Sequence, residues 1–206
     1  TSPNSQVICS NTSSSTISFN SNVSGVTYAW NLSLASGIST SGVVLSGAAI
    51  IPPQNFVNNG NVPSNASYSV VASLNDNGLV CSGPPTLAVV QVNPLPVISA
   101  STLNDTICSG VTSSVYLNST VNPTSYAWTC VSSGAVTGYS NNSGSTIAQS
   151  LNNSSNLLQY VTYNVSSNAS FNGITCPGNN LSIDLYVVPN PIVSFSLAND
   201  SICSGT

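Results

Sequence analysis

The side chains able to do chemistry are six cysteines and four aspartates, because the sequence contains no Lys, Arg, His, Glu or Met. A glycosidase needs two carboxylates flanking one site, yet Asp76, Asp105 and Asp184 fall in different parts of the chain. A serine nucleophile has neither a histidine nor a lysine to act as its base. We therefore expect no enzyme activity, no catalytic residue, no metal site and no cofactor.

The lack of cationic side chains also limits the partners. Nucleic acids and anionic membrane surfaces are bound through Lys and Arg, which neutralise phosphate charge, and the sequence has neither. No apolar run approaches the roughly 20 residues of a membrane span. We therefore expect no nucleic-acid partner and no membrane span.

The cysteines recur together with their surroundings, which indicates an internal repeat. Ile8-Cys9-Ser10 returns as Ile107-Cys108-Ser109 and again as Ile202-Cys203-Ser204. Further markers recur in the same order, namely Tyr28-Ala29-Trp30 with Tyr126-Ala127-Trp128, Cys81 with Cys176, and the Pro-bearing joint at Pro94 with that at Pro189. The sequence predicts a first repeat over 1–94, a second over 95–190, and the first strand of a third over 191–206.

Six cysteines in a chain without histidine are typical of an oxidising, extracellular compartment. Pairing within each repeat joins Cys9 to Cys81 and Cys108 to Cys176. Each pair closes a loop of roughly 70 residues, worth about 4 kcal/mol in the chain-entropy account. Cys203 is left to pair with a residue outside this sequence or to stay unpaired.

Cys130 has no counterpart in the first repeat, where Leu32 takes its place two residues after the tryptophan. Two interpretations remain open. The thiol is either buried and free, packing as a small hydrophobic group, or it forms a disulfide between chains. A reactive cysteine is disfavoured because no histidine or cation is present to lower its pKa.

Apolar residues alternate with Ser and Asn at a period of two, as at Ile17 and Phe19 and along Tyr68–Leu74. Such alternation between breaks of Gly, Asn, Ser and Pro predicts half-buried antiparallel strands. Six to eight short strands per repeat point to an all-β fold of tandem immunoglobulin-like β-sandwiches. We expect Trp30 and Trp128 in the cores of the two repeats, rather than on a sugar-binding surface.

At these markers the sequence resembles the PKD-like repeat domains of large Bacteroidota surface proteins, including gliding-motility adhesins exported by type IX secretion. The second repeat matches the loose pattern of that family at Ile107–Gly110, Tyr126–Trp128, Gly144–Leu151, Val161–Val165 and Cys176–Gly178. The first repeat departs from the pattern in its middle and has Asn11 where the family usually has Gly. The resemblance covers nearly the whole chain and implies a PKD-like sandwich at the bacterial cell surface, but no ligand.

The resemblance also draws attention to Asp105-Thr106-Ile107 and Asp200-Ser201-Ile202. Both are similar to the Asp-Thr/Ser-apolar motif for O-glycosylation in that phylum. Thr106 and Ser201 would then carry covalent glycans and the chain would be a glycoprotein. The alternative is that each aspartate caps a turn before the cysteine-bearing strand.

Two functions of different classes fit this sequence. The repeats, the disulfides and the lack of reactive groups favour a structural segment of a surface filament, stalk or adhesin. The alternative is an adhesion module that binds carbohydrate or protein through exposed side chains such as Tyr116 and Tyr139. A near-neutral surface, with no lysine to guard edge strands, favours self-association. Copies of the chain are therefore the expected partner, with surface polysaccharide as the second.

Overall fold

The computed structural model describes residues 5–40 and 44–195, and within them every regular element is a β-strand. The first repeat consists of β1 (Ser5–Cys9), β2 (Thr12–Ser13), β3 (Ile17–Ser18), β4 (Thr27–Leu34), β5 (Ile38–Thr40), β6 (Ser46–Ala48), β7 (Ile50–Ile51), β8 (Asn55–Asn58), β9 (Ser64–Asp76), β10 (Leu79–Ser82) and β11 (Thr86–Asn93). The second repeat consists of β12 (Ile98–Ala100), β13 (Asn104–Cys108), β14 (Val115–Ser119), β15 (Ser125–Ser132), β16 (Val136–Thr137), β17 (Asn142–Ser143), β18 (Thr146–Ile147), β19 (Asn152–Asn153), β20 (Gln159–Phe171), β21 (Ile174–Pro177) and β22 (Leu181–Val188). No helix in this part of the chain is long and apolar enough to cross a membrane.

The two repeats share one strand order. The main sheet of the first runs β1-β11-β9-β4-β6, with β10 paired to the end of β9. The main sheet of the second runs β13-β22-β20-β15-β17, with β21 paired to the end of β20. Smaller sheets pack over each main sheet, namely β2-β8-β5 and β3-β7 in the first repeat and β12-β14-β18 and β16-β19 in the second. The predicted fold class, tandem immunoglobulin-like β-sandwiches, is confirmed.

The first strand of each main sheet runs parallel to its neighbour, β1 to β11 and β13 to β22, whereas the other strand pairs are antiparallel. The alternation of apolar residues predicted antiparallel strands elsewhere, and it gave no sign of these two parallel pairs. Because β1 runs in the same direction as β11, Cys9 lies beside Asn93, where the chain leaves for the second repeat. Cys108 lies beside Val188 in the same way.

Alternating side chains on the long central strands build the two cores. Trp30 on β4 lies opposite Val70 of β9 and is 2% exposed, and Trp128 on β15 lies opposite Val165 of β20 and is 5% exposed. The Trp30 indole N–H donates to Ile50 O at 3.0 Å. Removing a buried aromatic side chain of this size costs about 3–5 kcal/mol, so each sandwich depends strongly on its single tryptophan.

A buried asparagine fixes the end of each repeat where the first strand finishes. Asn58 donates from its side-chain amide to Val92 O at 2.8 Å, and its backbone N–H donates to Ser10 Oγ at 2.9 Å. Asn153 makes the same two hydrogen bonds, at 2.8 Å and 2.9 Å, to the equivalent residues of the second repeat. Buried polar groups of this kind must be satisfied, and here they hold the residue after each first-strand cysteine in the same place.

Candidate functional site at the joint between the repeats

A disulfide bond joins the two repeats. Cys9 at the end of β1 is bonded to Cys176 in β21, with a sequence separation of 167 and Cα atoms 5.5 Å apart. That Cα distance lies in the usual range for disulfides. The pairing expected from the sequence, Cys9 with Cys81 and Cys108 with Cys176, is therefore corrected: the bond runs between repeats rather than within one.

The register of the first repeat explains the correction. In the register of the sheet, Cys9 lies one position beyond Ser64, at the start of the central strand β9. Cys81 pairs with Leu74, near the other end of the same strand. The ten positions from Ser64 to Leu74 span about 33 Å at about 3.3 Å per residue. Disulfide Cα atoms must lie within about 7 Å of each other, so the two cysteines of one repeat cannot be bonded while it is folded.

The second repeat has the same arrangement, with Cys108 just beyond the level of Gln159 and Cys176 paired with Ala169. The physical reason is the direction of the first strand. An antiparallel first strand would carry its terminal cysteine to the end of the sheet where the hairpin cysteine lies. The parallel first strand therefore excludes the pairing within each repeat that the positions of the cysteines in the sequence suggested.

The hairpin β20–β21 reaches the first repeat through its turn. Asn172 and Gly173 have φ angles of 49° and 78°, which Asn-Gly turns adopt readily. Asn172 Nδ2 donates to Gln91 Oε1 at 2.7 Å, and Asn93 Nδ2 donates to Phe171 O at 3.2 Å. Gln91 Nε2 also donates to Asn93 Oδ1 at 2.8 Å. Amide groups of both repeats therefore form one hydrogen-bonded cluster beside the disulfide.

The linker between the repeats is held by hydrogen bonds and close contacts with the residues that follow β21. Asn179 N donates to Pro96 O at 3.3 Å, and Asn179 Oδ1 accepts from Ile98 N at 2.7 Å. Gly178 passes so close that an added Cβ would overlap Pro96 O and Ser167 Oγ. The disulfide and the hairpin turn connect the two repeats directly, and the contacts of Gly178 and Asn179 hold the linker against the second repeat.

Cys81 and Cys108 are exposed and have no disulfide partner within residues 5–40 and 44–195. They occupy the same places in their repeats as Cys176 and Cys9 do in theirs. Cys203 lies outside the described residues. The joint therefore uses one cysteine from each repeat and leaves one on each repeat exposed.

Cys130 lies on β15 and packs against the core of the second repeat in a half-buried position. Burial raises the pKa of the Cys130 thiol, and the hydrogen bond that its Sγ makes with Ser140 O at 3.1 Å opposes that shift less strongly. A raised pKa leaves less of the nucleophilic thiolate at neutral pH. Packing as a small hydrophobic group is the interpretation that this environment favours.

The other residues singled out in the sequence lie apart from the joint cluster. Thr106 is exposed on β13, and its backbone N–H donates to Asp105 Oδ1 at 2.8 Å. Tyr116 is 57% exposed and Tyr139 is 36% exposed. Ser201 lies outside the described residues. The structure thus places both tyrosines and the threonine at the surface without assembling them into one site.

Two carboxylates come closer together than the sequence suggested. Asp184 pairs with Asn104 across adjacent parallel strands, so Asp105 is one position further along. Successive side chains of a strand point to opposite faces, and Asp184 Oδ1 accepts a hydrogen bond from Thr162 at 2.6 Å. The two carboxylates therefore do not flank one site. In the described ranges, no group of three or more Cys or Asp side chains is placed to hold a metal ion.

The fold and the joint together define a class: tandem immunoglobulin-like sandwiches fixed end to end. The model of the PKD-like domain family matches residues 6–96 and 105–191. The chain therefore belongs to the PKD-like domain family and carries two copies of the domain. Such repeats are generally non-catalytic and are typical of extracellular structural or adhesive modules. The boundaries after residues 94 and 190 stay a prediction.

No curated protein matches the chain. Among solved structures, the crystal structure of human CDH23 EC21-23 is similar at 13% identity and a TM-score of 0.34, over 91% of this chain and 72% of that chain. At that identity and TM-score, nothing about function follows for this chain.

Proposed function

We propose that this chain is a non-catalytic structural repeat segment of an extracellular filament, stalk or adhesin, and that it associates with copies of itself. The bacterial cell surface, and large Bacteroidota proteins exported by type IX secretion, are the setting that the family resemblance implies. The joint carries the proposal: a disulfide, a hairpin contact and a clamped linker hold two sandwiches in fixed relation. Rigid end-to-end connection is what a spacer or filament needs.

The position of the disulfide shields most of the chain from tension. A force applied at the two chain ends runs along residues 1–9, crosses the Cys9–Cys176 bond and leaves along residues 176–206. The backbone between the two cysteines lies outside the covalent path of the force while that bond is intact. A segment built in this way extends much less under force than one without the bond, which supports a mechanical role.

Single-molecule pulling on the chain by its ends tests this role. With the bond intact, unfolding frees about 40 residues, roughly 140 Å at about 3.5 Å per residue. The Cys9→Ser/Cys176→Ser variant should extend by roughly 700 Å, because all 206 residues can then be drawn out. Cys81→Ser/Cys108→Ser is the matched control and should behave as the parent chain. Equal extension of the parent and the Cys9→Ser/Cys176→Ser variant would contradict the mechanical role.

Self-association is supported by the surface chemistry. The net charge is −4 with no lysine or arginine, so copies repel one another weakly. The short edge strands β6 and β17 carry no charged side chain. Edge strands without charged side chains can pair with strands of another copy. Sedimentation at high protein concentration and low salt, with free thiols capped, should show oligomers. A single monomeric species under those conditions would contradict lateral self-association.

The second candidate, an adhesion module for carbohydrate or protein, has one observation in its favour. Tyr116 is 57% exposed on β14, and an exposed aromatic ring can stack on an apolar face of a sugar. Binding to a glycan array that Tyr116→Ala abolishes would support this function for a surface polysaccharide. Tyr160→Ala is a matched control, because Tyr160 is also exposed but lies on β20. An array without any signal for the parent chain would count against it.

Covalent glycans at Thr106 and Ser201 are a further part of the proposal that rests on the motif resemblance. The exposed position of Thr106 leaves its hydroxyl accessible to a transferase. The intact mass of the protein from its natural source should exceed that of its sequence, and Thr106→Ala should remove part of the excess. Thr102→Ala is the matched control. A natural protein with the unmodified mass would contradict glycosylation.

A further inference from the structure

The two exposed cysteines, Cys81 and Cys108, lie at positions equivalent to those of the two cysteines that bond the repeats together. Cys81 corresponds to Cys176, since each pairs across its hairpin with the long central strand of its repeat. Cys108 corresponds to Cys9, since each ends the parallel first strand beside the last strand of its repeat. Within the described residues, the first repeat thus has a hairpin, β9–β10, that is not docked on another repeat. The second repeat has a first strand, β13, on which none of the described hairpins is docked.

The backbone next to Cys81 and Cys108 has the same conformation and hydrogen bonds as the backbone next to Cys176 and Cys9. The turn of β9–β10 has φ angles of 49° at Asn77 and 88° at Gly78, close to those of the turn in β20–β21. The backbone N–H after the cysteine donates to the last strand in both repeats, from Ser10 to Asn93 O at 2.8 Å and from Ser109 to Val188 O at 2.9 Å. No rearrangement within either repeat is needed to form a second joint.

From this equivalence we propose that the two ends of the chain are complementary. The hairpin β9–β10 of one copy docks on the first strand β13 of a second copy, and Cys81 of the first forms a disulfide with Cys108 of the second. The proposal rests on the proposed structural function and specifies how its copies connect. The occupant is another PKD-like repeat, supplied here by a second copy of this chain, because the one formed joint lies between two such repeats.

Exposed apolar side chains lie on the hairpin β9–β10 and beside the first strand β13. On the hairpin, Leu79 is 71% exposed, whereas its counterpart in the formed joint, Ile174, is 38% exposed. On the receiving side, the places of Gln91 and Asn93 are taken by Tyr186 and Val188, and Val188 is exposed. Covering apolar surface favours association by about 25 cal/mol per Å², so docking at the free ends depends more on apolar contact than the formed joint does.

Bond formation requires a two-electron oxidant. A disulfide such as oxidised glutathione serves: one thiolate attacks it and releases one molecule of glutathione, and the second thiolate then displaces the other. The two cysteine thiols together lose two electrons and two protons, and both protons end on the two glutathione thiols. The docked geometry is needed because it brings Cys81 and Cys108 of different copies within bonding distance.

The test uses the full chain carrying Cys130→Ala and Cys203→Ser, so that only the joint cysteines remain. Two variants of this parent are compared, one with Cys81→Ser and one with Cys108→Ser, each in concentrated solution with oxidised glutathione. The parent should give a ladder of linked chains on a non-reducing gel. Each variant alone should stay monomeric, and an equal mixture of the two should give a dimer and nothing larger.

The linkage in the mixed dimer is then mapped by mass spectrometry. A protease that cleaves before aspartate separates the peptide over 76–104, which contains Cys81, from that over 105–183, which contains Cys108 and Cys176, and fragmentation tells the last two apart. The proposal predicts that these two peptides are joined across copies. Dimers of either variant alone at a yield similar to the mixture, or a mixture without dimer, would overturn it. The pulling experiment does not depend on this result, because it uses single chains, so failure here leaves the mechanical role intact.

Discussion

The two hairpins of this protein, β9–β10 and β20–β21, have the same construction but different surroundings. Each has a 13-residue strand, an Asn-Gly turn and a 4-residue strand that carries a cysteine. Cys176 in the second hairpin is fully buried and bonded to the first repeat, whereas Cys81 in the first hairpin is exposed. The difference shows that the hairpin β20–β21 contacts the preceding repeat as well as completing its own sandwich.

Stability in such a chain is shared between neighbouring repeats. In repeat proteins the total stability is approximately a sum of terms for each repeat and terms for each interface. Here the interface term includes a covalent bond, so residues at the docked hairpin should matter more than their counterparts at the exposed one. Matched substitutions at equivalent positions measure that difference directly.

The largest effect is expected from removing the bond itself. Cys9→Ser/Cys176→Ser should lower the free energy of unfolding by about 5 kcal/mol, because the bond closes a separation of 167 residues in the unfolded chain. Cys81→Ser/Cys108→Ser, the matched control, should change it by less than about 0.5 kcal/mol. Denaturant unfolding followed by the fluorescence of Trp30 and Trp128 measures both. Equal losses for the two variants would remove the distinction between the hairpins.

The linker clamp should give the next largest effect. Gly178→Ala places a Cβ against Pro96 O and Ser167 Oγ and should destabilise the protein by about 1–3 kcal/mol. The equivalent change, Gly83→Ala, meets only Ala72 O at 3.7 Å, an ordinary contact, and should have little effect. Thermal unfolding of the two variants provides the comparison. A larger loss for Gly83→Ala would show that the clamp contributes nothing.

A smaller difference is expected at the hairpin turns. Asn77→Ala and Asn172→Ala both place alanine at a φ of 49°, so both variants carry the same backbone penalty. Only Asn172 also donates to Gln91, at 2.7 Å, and a typical hydrogen bond contributes about 0.5–1.5 kcal/mol. Asn172→Ala should therefore be the more destabilising by about 1 kcal/mol in denaturant titrations. Identical losses would mean that the turn contact is not energetically significant.

The smallest expected effect is kinetic and concerns the cysteines outside the joint bond. Burial raises the pKa of the Cys130 thiol, so at pH 8 less of it is thiolate and alkylation by iodoacetamide should be slow. Cys81 and Cys108 are exposed and should react first. As the pH rises toward the raised pKa, the rate at Cys130 should increase. Peptide mass spectrometry over time follows each site, and fastest labelling at Cys130 would contradict its half-buried placement.

The sandwich fold was predictable because its signals are local. Alternation along Tyr68–Leu74 and the recurrence of Tyr-Ala-Trp depend only on residues near in sequence. The partner of Cys9 was not predictable in that way, because it depends on the direction of β1 relative to β11, a pairing of residues about 84 apart in sequence.

One signal in the sequence did bear on the joint. The run Ser64–Asp76 makes a 13-residue strand, whereas its neighbour Thr86–Asn93 makes one of 8 residues. The excess length before the Asn-Gly turn indicates a hairpin that continues past the main sheet and carries Cys81 with it. The alternation pattern alone does not show what lies against that hairpin, since the neighbouring repeat provides the contact.

A disulfide map of the oxidised, unreduced chain tests the central claim most directly. Cleavage before aspartate gives a peptide over 1–75 with Cys9, one over 76–104 with Cys81, and one over 105–183 with Cys108, Cys130 and Cys176. A covalent joint between repeats predicts that 1–75 is linked to 105–183, with tandem mass spectrometry placing the bond on Cys176. A link between 1–75 and 76–104, which is a bond within the first repeat, would contradict it.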